Sequence, residues 1–351
     1  MMVLLSRHAT SSLKPPAIRV LPVDDCRPFW SVMIPTYNPR TDYLAETLHS
    51  VLQQDPGPEQ MQIEVVDDGS TDDVAAQTVR RVGGGGRVSF HAEPQNRGLA
   101  NTWNRCIERA RGNWVHILHQ DDVVLPGFYT QLRKGAEESD AGAIFCRYAV
   151  ANSNGHWTSI SELLRESAGL LNDWHATITV RNLIQCPAIA VRRLVYEQLG
   201  GFLPRLRYTP DWEMWQRVAT RFSFWFEPSI LACYREHPDS ATSRLRLDAA
   251  DVREVRELID LTTAYHSPAR GRVLARNARS SYAGLAVLRA RHMLVEAGFH
   301  PAWKQILEVL RLCHNRRIIW QISSFFVLWF RITASRVKRR MKSKANPLIH
   351  S

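Results

Sequence analysis

From Trp30 to Asp122 the chain alternates short apolar runs with segments of helical spacing, and this alternation limits its fold more than any other feature. Residues 31–35, 62–66, 87–91 and 114–118 read as strands. Between them, residues 41–54 (Leu44, Leu48, Val51, Leu52), 72–82 and 97–111 (Leu99, Trp103, Cys106, Ile107, Ala110) repeat at the helical period. Strands separated by helices are joined by crossovers and pair in parallel, so an α/β domain with a Rossmann-like, mostly parallel sheet flanked by helices is expected.

The pattern then loosens. A helix is expected over 126–138, a strand over 141–150, a turn at Asn154-Gly155, and further strands over 187–191 and 222–234. Beyond about residue 245 only helices are expected, over 248–261, 270–297 and 303–333. The organisation read from this is a flexible leader over 1–28, rich in Ser and Pro, a main domain over 29–245, and a C-terminal helical region over 246–351. Hydrophobic residues at 45% and charged residues at 23% exclude a disordered or low-complexity chain.

The net charge of +11 is concentrated at one end: residues 301–351 hold eleven Lys/Arg against the single acid Glu308, which leaves +1 for residues 1–300. A basic tail on a near-neutral body suits an anionic membrane surface and argues against nucleic acid as the partner of the body. The six widely spaced cysteines form no metal-binding pattern and are expected to be reduced, buried thiols. No stretch is as long as the roughly 18 apolar residues of a spanning helix. The run Gly83–Gly86 lacks the Gly-Lys-Ser/Thr ending of a phosphate loop, and no GxSxG or HExxH motif occurs, so serine hydrolase and zinc protease chemistry has no motif support.

In open parallel sheets, ligands bind beyond the carboxyl ends of the strands. Those ends are polar here: Thr36-Tyr37-Asn38, Asp67-Asp68-Gly69-Ser70, Asn96-Arg97-Gly98 and His119-Gln120-Asp121-Asp122. Any one of these is an ordinary turn or helix cap, but together they describe a nucleoside-diphosphate site. Asp68 can accept the imide N–H of a uracil-type base with Tyr37 stacked on its face, and Arg97 can meet a phosphate. Asp121 and Asp122 suit a hard divalent cation, Mg²⁺ or Mn²⁺.

The segments WSVMIPTYN (30–38), IEVVDDGSTD (63–72), NRG (96–98) and WVHILHQDDVVLP (114–126) resemble, in order and spacing, the inverting GT-A glycosyltransferases of family 2. The resemblance covers about residues 29–240. It implies a GT-A fold and a nucleotide-sugar donor held near Pro35, Thr36, Tyr37, Asp68, Asn96, Arg97, His119 and Gln120. It also implies a cation on Asp121, with Asp122 beside it. His119 stands where the family has the first Asp of its DxD motif, and it either donates to a ribose hydroxyl or faces the interior.

Leu199-Gly200-Gly201-Phe202 followed by Asp211-Trp212-Glu213 is similar to the family's GGF segment and Glu-Asp motif. Pro210 occupies the Glu position, and Asp211 is implied as the catalytic base, although an acid there also suits a helix N-terminus. In Tyr234-Arg235-Glu236-His237, the resemblance implies that His237 reaches the metal or the diphosphate. Trp212 and Trp215 have core spacing, though Trp212 beside the acid could stack on a sugar.

The expected function is inverting transfer from a UDP- or dTDP-linked sugar to a hydroxyl of a glycan or lipid-linked acceptor in cell-surface polysaccharide synthesis. The expected location is cytoplasmic, peripheral at the inner face of the cell membrane. The alternative is a non-catalytic, transferase-like nucleotide- or glycan-binding protein or membrane scaffold. In the tail, residues 318–332 are mostly apolar and flanked by basic residues, which suits a helix lying among lipid headgroups or one packed in the core.

Overall fold

The computed structural model describes residues 14–22 and 26–345, and side chains as far as 335. The first unit runs to His237 and the second begins at Pro238, ahead of the change expected near 245.

The first unit opens with β1 (Trp30–Thr36), α1 (Thr41–Leu52), β2 (Met61–Asp67), α2 (Val74–Val82), β3 (Ser89–Ala92), α3 (Leu99–Arg109) and β4 (Trp114–Ile117). Every residue of β1, β2 and β4 is buried, as in a sheet covered on both faces. One stripe of α1 (Tyr43, Leu44, Thr47, Leu48, Val51) packs inward. There follow β5 (Val123–Val124), α4 (Phe128–Glu138), β6 (Ala143–Ala151), β7 (Trp157–Ile160), β8 (Gly169–Leu170), α5 (Trp174–Val180), β9 (Ile189–Arg192), α6 (Arg193–Leu199), α7 (Pro210–Ala219) and β10 (Phe224–Arg235).

The ten-stranded sheet has the order β3-β2-β1-β4-β9-β6-β10-β5, with β7 on β6 and β8 on β10. It is parallel over β3-β2-β1-β4, as the sequence implied, and again between β6 and β10. Beyond β4 the sheet becomes mixed, because β9 runs antiparallel to both β4 and β6. A buried histidine ties this reversal together. The His116 Nε2–H of β4 donates to the Pro187 carbonyl just before β9, and its Nδ1 accepts from the Tyr129 hydroxyl, both at 3.1 Å. Burial pushes His116 down to about 3, so it is a neutral core residue.

The leader also differs from expectation over its described residues. Ile18 is 4% exposed, the Pro16 carbonyl accepts from Gly201 N–H at 2.8 Å, and the Arg19 carbonyl accepts from buried Arg193 at 3.1 Å. An extended segment whose carbonyls are used in this way is docked rather than flexible. Residues 1–13 lie outside the described residues.

The second unit is helical: α8 (Ala241–Leu247), α9 (Ala250–Thr262), α10 (Pro268–Glu296), α11 (Phe299–Leu312) and α12 (Arg316–Ala345). The small residues Ala278, Ala283, Ala286 and Ala290 form the buried face of α10, which packs against α11 and α12. The single helix expected over 303–333 is two, because the Asn315 side chain accepts from Ile318 N–H at 3.0 Å and starts α12 as a cap. Segment Arg316–Ser335 is long and apolar enough, by length and composition, to cross a membrane, which corrects the expectation that no stretch is. Among the cysteines, Cys106, Cys146, Cys186 and Cys233 are buried as expected, but Cys26 is exposed and Cys313 half-buried.

Ile18→Ala should lower the unfolding free energy by about 2–4 kcal/mol, the cost of emptying a buried aliphatic site. Urea denaturation checks this, and an unchanged midpoint would mean that the leader is undocked.

Candidate active site

Strand order reverses at β1, which has β2 and β3 on one side and β4 on the other, and the crevice beyond such a switch point is where open sheets bind ligands. The loops that leave these strands are tied to one another. Tyr37 N–H donates to Gln120 Oε1 at 2.8 Å, joining the loops after β1 and β4. Asn38, in the left-handed region at φ 44°, donates its N–H to Ser70 Oγ and accepts from Thr71 N–H through its side chain, joining the loops after β1 and β2. Asp67 accepts from Thr36 Oγ1 at 3.0 Å and from Ser70 N–H at 2.9 Å.

Asp68, 3% exposed, accepts from the main-chain N–H groups of Arg97 (2.9 Å) and Gly98 (3.0 Å), so it braces the loop after β3. Gly69 makes this approach possible. At φ +68° it occupies a region costly to other residues, and a Cβ there would lie 2.6 Å from the carbonyl carbon of Gln95.

Of the expected donor-binding residues, Tyr37 is exposed at 41%, whereas Pro35 and Thr36 are buried and present no side chain to solvent. Asn96 and Arg97 are exposed on the loop before α3. The Arg97 guanidinium lies 3.6 Å from Glu93, a buried acid that also meets His91 at 2.8 Å and Arg105 at 2.7 Å. The hydrogen bond from His91 is the largest influence holding the Glu93 carboxyl below its usual range, with Arg105 and Arg97 acting in the same direction.

At the end of β4, ligand atoms of His119, Asp121 and Asp122 lie within 4.8 Å of one another. His237 Nε2 is 2.9 Å from Asp121 Oδ2. Asp122 is fully buried: Oδ1 accepts from Arg235 N–H at 2.8 Å, while Oδ2 has no hydrogen-bond partner among the described residues. That oxygen, 3.4 Å from His119 Nδ1 and beside a second carboxylate, is placed as in a cation site, so these residues fit a divalent ion. Burial raises the Asp122 pKa, and the charge of Asp121 adds to this. His119 stacks on Trp103 at 5.1 Å. Burial works against its charged form, but Asp122, Asp121 and Asp211 outweigh that, and its pKa rises.

Asp211 stands in the first turn of α7, half-buried, accepting from Asn182 at 3.1 Å and from Trp212 N–H at 2.7 Å. Burial pushes its carboxyl up to about 6, against the opposing influence of these hydrogen bonds and of His119. Trp212 does not face a ligand: it is 3% exposed and its indole N–H donates to the Ile178 carbonyl at 2.6 Å. Trp215 is likewise core.

Two arginines were missed as supports. Arg235 binds the loop through its own N–H to Asp122 and through Nε to the Asp121 carbonyl at 3.0 Å, with its guanidinium 4.3 Å from the Tyr43 ring. Its place in Tyr234-Arg235-Glu236-His237 was the available signal. Arg217 pairs with buried Glu213 and donates to the carbonyls of Leu199, Gly200 and Gly201, fixing the GGF segment against α7. Arg at i+4 from Glu was its only trace in the sequence.

Residues 31–199 match the model of glycosyl transferase family 2. The chain is 28% identical over 221 residues to TuaG of Bacillus subtilis (strain 168), a protein whose name assigns it to teichuronic acid biosynthesis as a glycosyltransferase; the match spans 62% of this chain and 82% of that one. Among solved structures, S. aureus TarS 1–349 in complex with UDP-GlcNAc is similar at TM-score 0.53 and 16% identity, covering 80% of this chain and 91% of that one. A longer TarS chain is covered to 54%. Mannosyltransferase PcManGT from Pyrobaculum calidifontis, in complex with GDP-Man and Mn²⁺, is similar at TM-score 0.53 and 19% identity, covering 92% and 86%. The structural likenesses establish the GT-A fold.

Gly69→Ala should destabilise the first unit by at least about 1–2 kcal/mol, the cost of a left-handed conformation at a residue with a Cβ. Thermal unfolding measures it, and an unshifted transition would show that the Asp68–Gly98 brace tolerates a side chain at 69.

Proposed function

Since this chain belongs to glycosyl transferase family 2 through residues 31–199 and is a glycosyltransferase, we propose that it moves a sugar, with inversion, from a UDP- or dTDP-linked donor to a hydroxyl of a glycan or lipid-linked acceptor in cell-wall polysaccharide synthesis. The observation that carries the mechanism is Asp211: a half-buried carboxyl, raised to about 6 by burial, whose charge acts on His119 beside the acidic cluster. A base with a pKa near the working pH is ionised at neutrality yet basic enough to take a proton.

In this reading, the Asp211 carboxylate removes the acceptor hydroxyl proton. The oxygen attacks the anomeric carbon from the face opposite the nucleotide, and the bond to the diphosphate breaks with its electrons on the departing oxygen. Tyr37 and the loop around Asp68 receive the base, Asn96 and Arg97 lie toward the phosphates, and Gln120 holds the Tyr37 loop in place. Asp121, Asp122 and His237 would hold a divalent cation, which neutralises charge on the leaving diphosphate when bound. The UDP-GlcNAc of TarS and the GDP-Man and Mn²⁺ of PcManGT are compatible with this division of roles.

We assign the second unit to an anionic membrane surface. The inner face of α12 is filled by protein contacts, with Ile318 and Phe325 at 0% exposure, so lipid cannot surround the helix as it would a lone spanning segment. Trp320, Val327 and Phe330 form an outward stripe, with Arg316, Arg317 and Arg331 exposed nearby and more basic residues following in the sequence. A helix held in this way suits the headgroup plane.

Asp211→Asn should lower turnover by roughly two to four orders of magnitude with donor affinity little changed. In the wild type, kcat/KM should fall about tenfold per pH unit below about 6, as Asp211 takes up its proton, and this acid limb should vanish in the variant. Near-normal turnover of the variant in single-turnover kinetics would remove Asp211 from the base role. For the membrane, full-length protein should sediment with anionic vesicles at low salt and less at high salt, and Trp320→Glu with Phe330→Glu should abolish binding without loss of helix content. Vesicle binding unaffected by this pair would place the contact elsewhere.

A further inference from the structure

We infer that His119 is itself a ligand of the cation, an imidazole in place of a carboxylate, and that the site therefore takes Mn²⁺ or a similar transition ion in preference to Mg²⁺. This rests on the cation site proposed above and assigns its chemistry.

Three observations converge. Ligand atoms of His119, Asp121 and Asp122 share a space within 4.8 Å. Asp122 Oδ2, in a residue with 0% exposure, lies 3.4 Å from His119 Nδ1 in an arrangement that makes no hydrogen bond, and it has no other hydrogen-bond partner among the described residues. A buried carboxylate oxygen without a donor is costly, and a cation between it and the imidazole nitrogen would remove the cost. The His119 ring is also held in place, stacked on Trp103 at an interplanar angle of 18°.

Donor chemistry then decides the ion. With His119, and with His237 Nε2 at 2.9 Å from Asp121, the set offers imidazole nitrogen beside carboxylate oxygen. Mg²⁺ favours oxygen ligands and retained waters, whereas imidazole suits first-row transition ions. The competing role for His119 is as a protonated partner of Asp122 with no contact to metal, and the test separates the two.

EPR of free Mn²⁺, with full-length protein and UDP, measures occupancy, and added Mg²⁺ gives the competition ratio. Mg²⁺ should displace Mn²⁺ only in large molar excess. His119→Asp should reduce that excess by roughly tenfold or more, since loss of even an outer-shell partner commonly costs that much. Pulsed EPR supplies a second readout that does not depend on how the His119 variant folds. In His237→Gln, bound Mn²⁺ should still show nitrogen coupling from a directly bound imidazole, and if that variant loses Mn²⁺, the wild type should show two such couplings and His119→Asp one.

Bound Mn²⁺ without nitrogen coupling in His237→Gln, one nitrogen coupling in the wild type where two are required, or a competition ratio unmoved in folded His119→Asp would overturn the inference and leave the cation site standing. No bound Mn²⁺ with UDP would overturn the cation site itself, while the Asp211 kinetics would still decide the transferase mechanism separately.

Discussion

Side-chain oxygens that capture main-chain N–H groups hold the strand-end loops, and the placement of the candidate site depends on that capture. Asp67, Asp68, Asn38 and Gln120 each accept at least one loop amide, three of them from a loop other than their own, and Asp122 accepts the amide of Arg235 at the end of β10. Loops carry few ladder hydrogen bonds, so their amides need partners from elsewhere. Carboxylates serve best because a charged acceptor makes a stronger bond. The acids that mark the site in the sequence are therefore partly its framework, and Asp68 spends both oxygens on the loop before α3.

A second constraint orients α7. The buried Arg217–Glu213 pair, 2.8 Å apart, reaches carbonyls of the GGF segment, and Asn104 closes the same turn by accepting from Phe202 N–H and donating to its carbonyl. Such a pair adds little net stability over apolar packing, but removing one partner strands a buried charge at a cost of about 3–5 kcal/mol. Its value here is geometric: α7 is held at one angle, and Asp211 in its first turn is held with it.

The strand-helix alternation through residue 118 was legible because the strands are short and mostly apolar and their helices carry a buried stripe. The polar strand-end residues were legible as a set because the parallel strands β1 to β4 place their carboxyl ends on one rim. Less visible was β9, whose apolar residues 189–191 read as a strand but carry no sign of direction; pairing with β4 and β6 sets that. The break before α12 turned on one side chain, Asn315, inside an otherwise continuous helical pattern. Docking of Ile18 was hidden among prolines, since an extended segment shows no periodicity.

The sequence alone determined the alternating architecture, the polar strand ends, the acid pair at 121–122 and the basic C-terminus, all of which follow from local residue type and spacing. Tertiary structure alone decided which of those polar groups stay open and which hold loops. It buried Thr36 and Trp212, left Tyr37 open, turned Arg235 onto the acid pair and raised Asp211 by enclosing it. Burial and hydrogen-bond partners come from segments far apart in the chain, and no local pattern contains them.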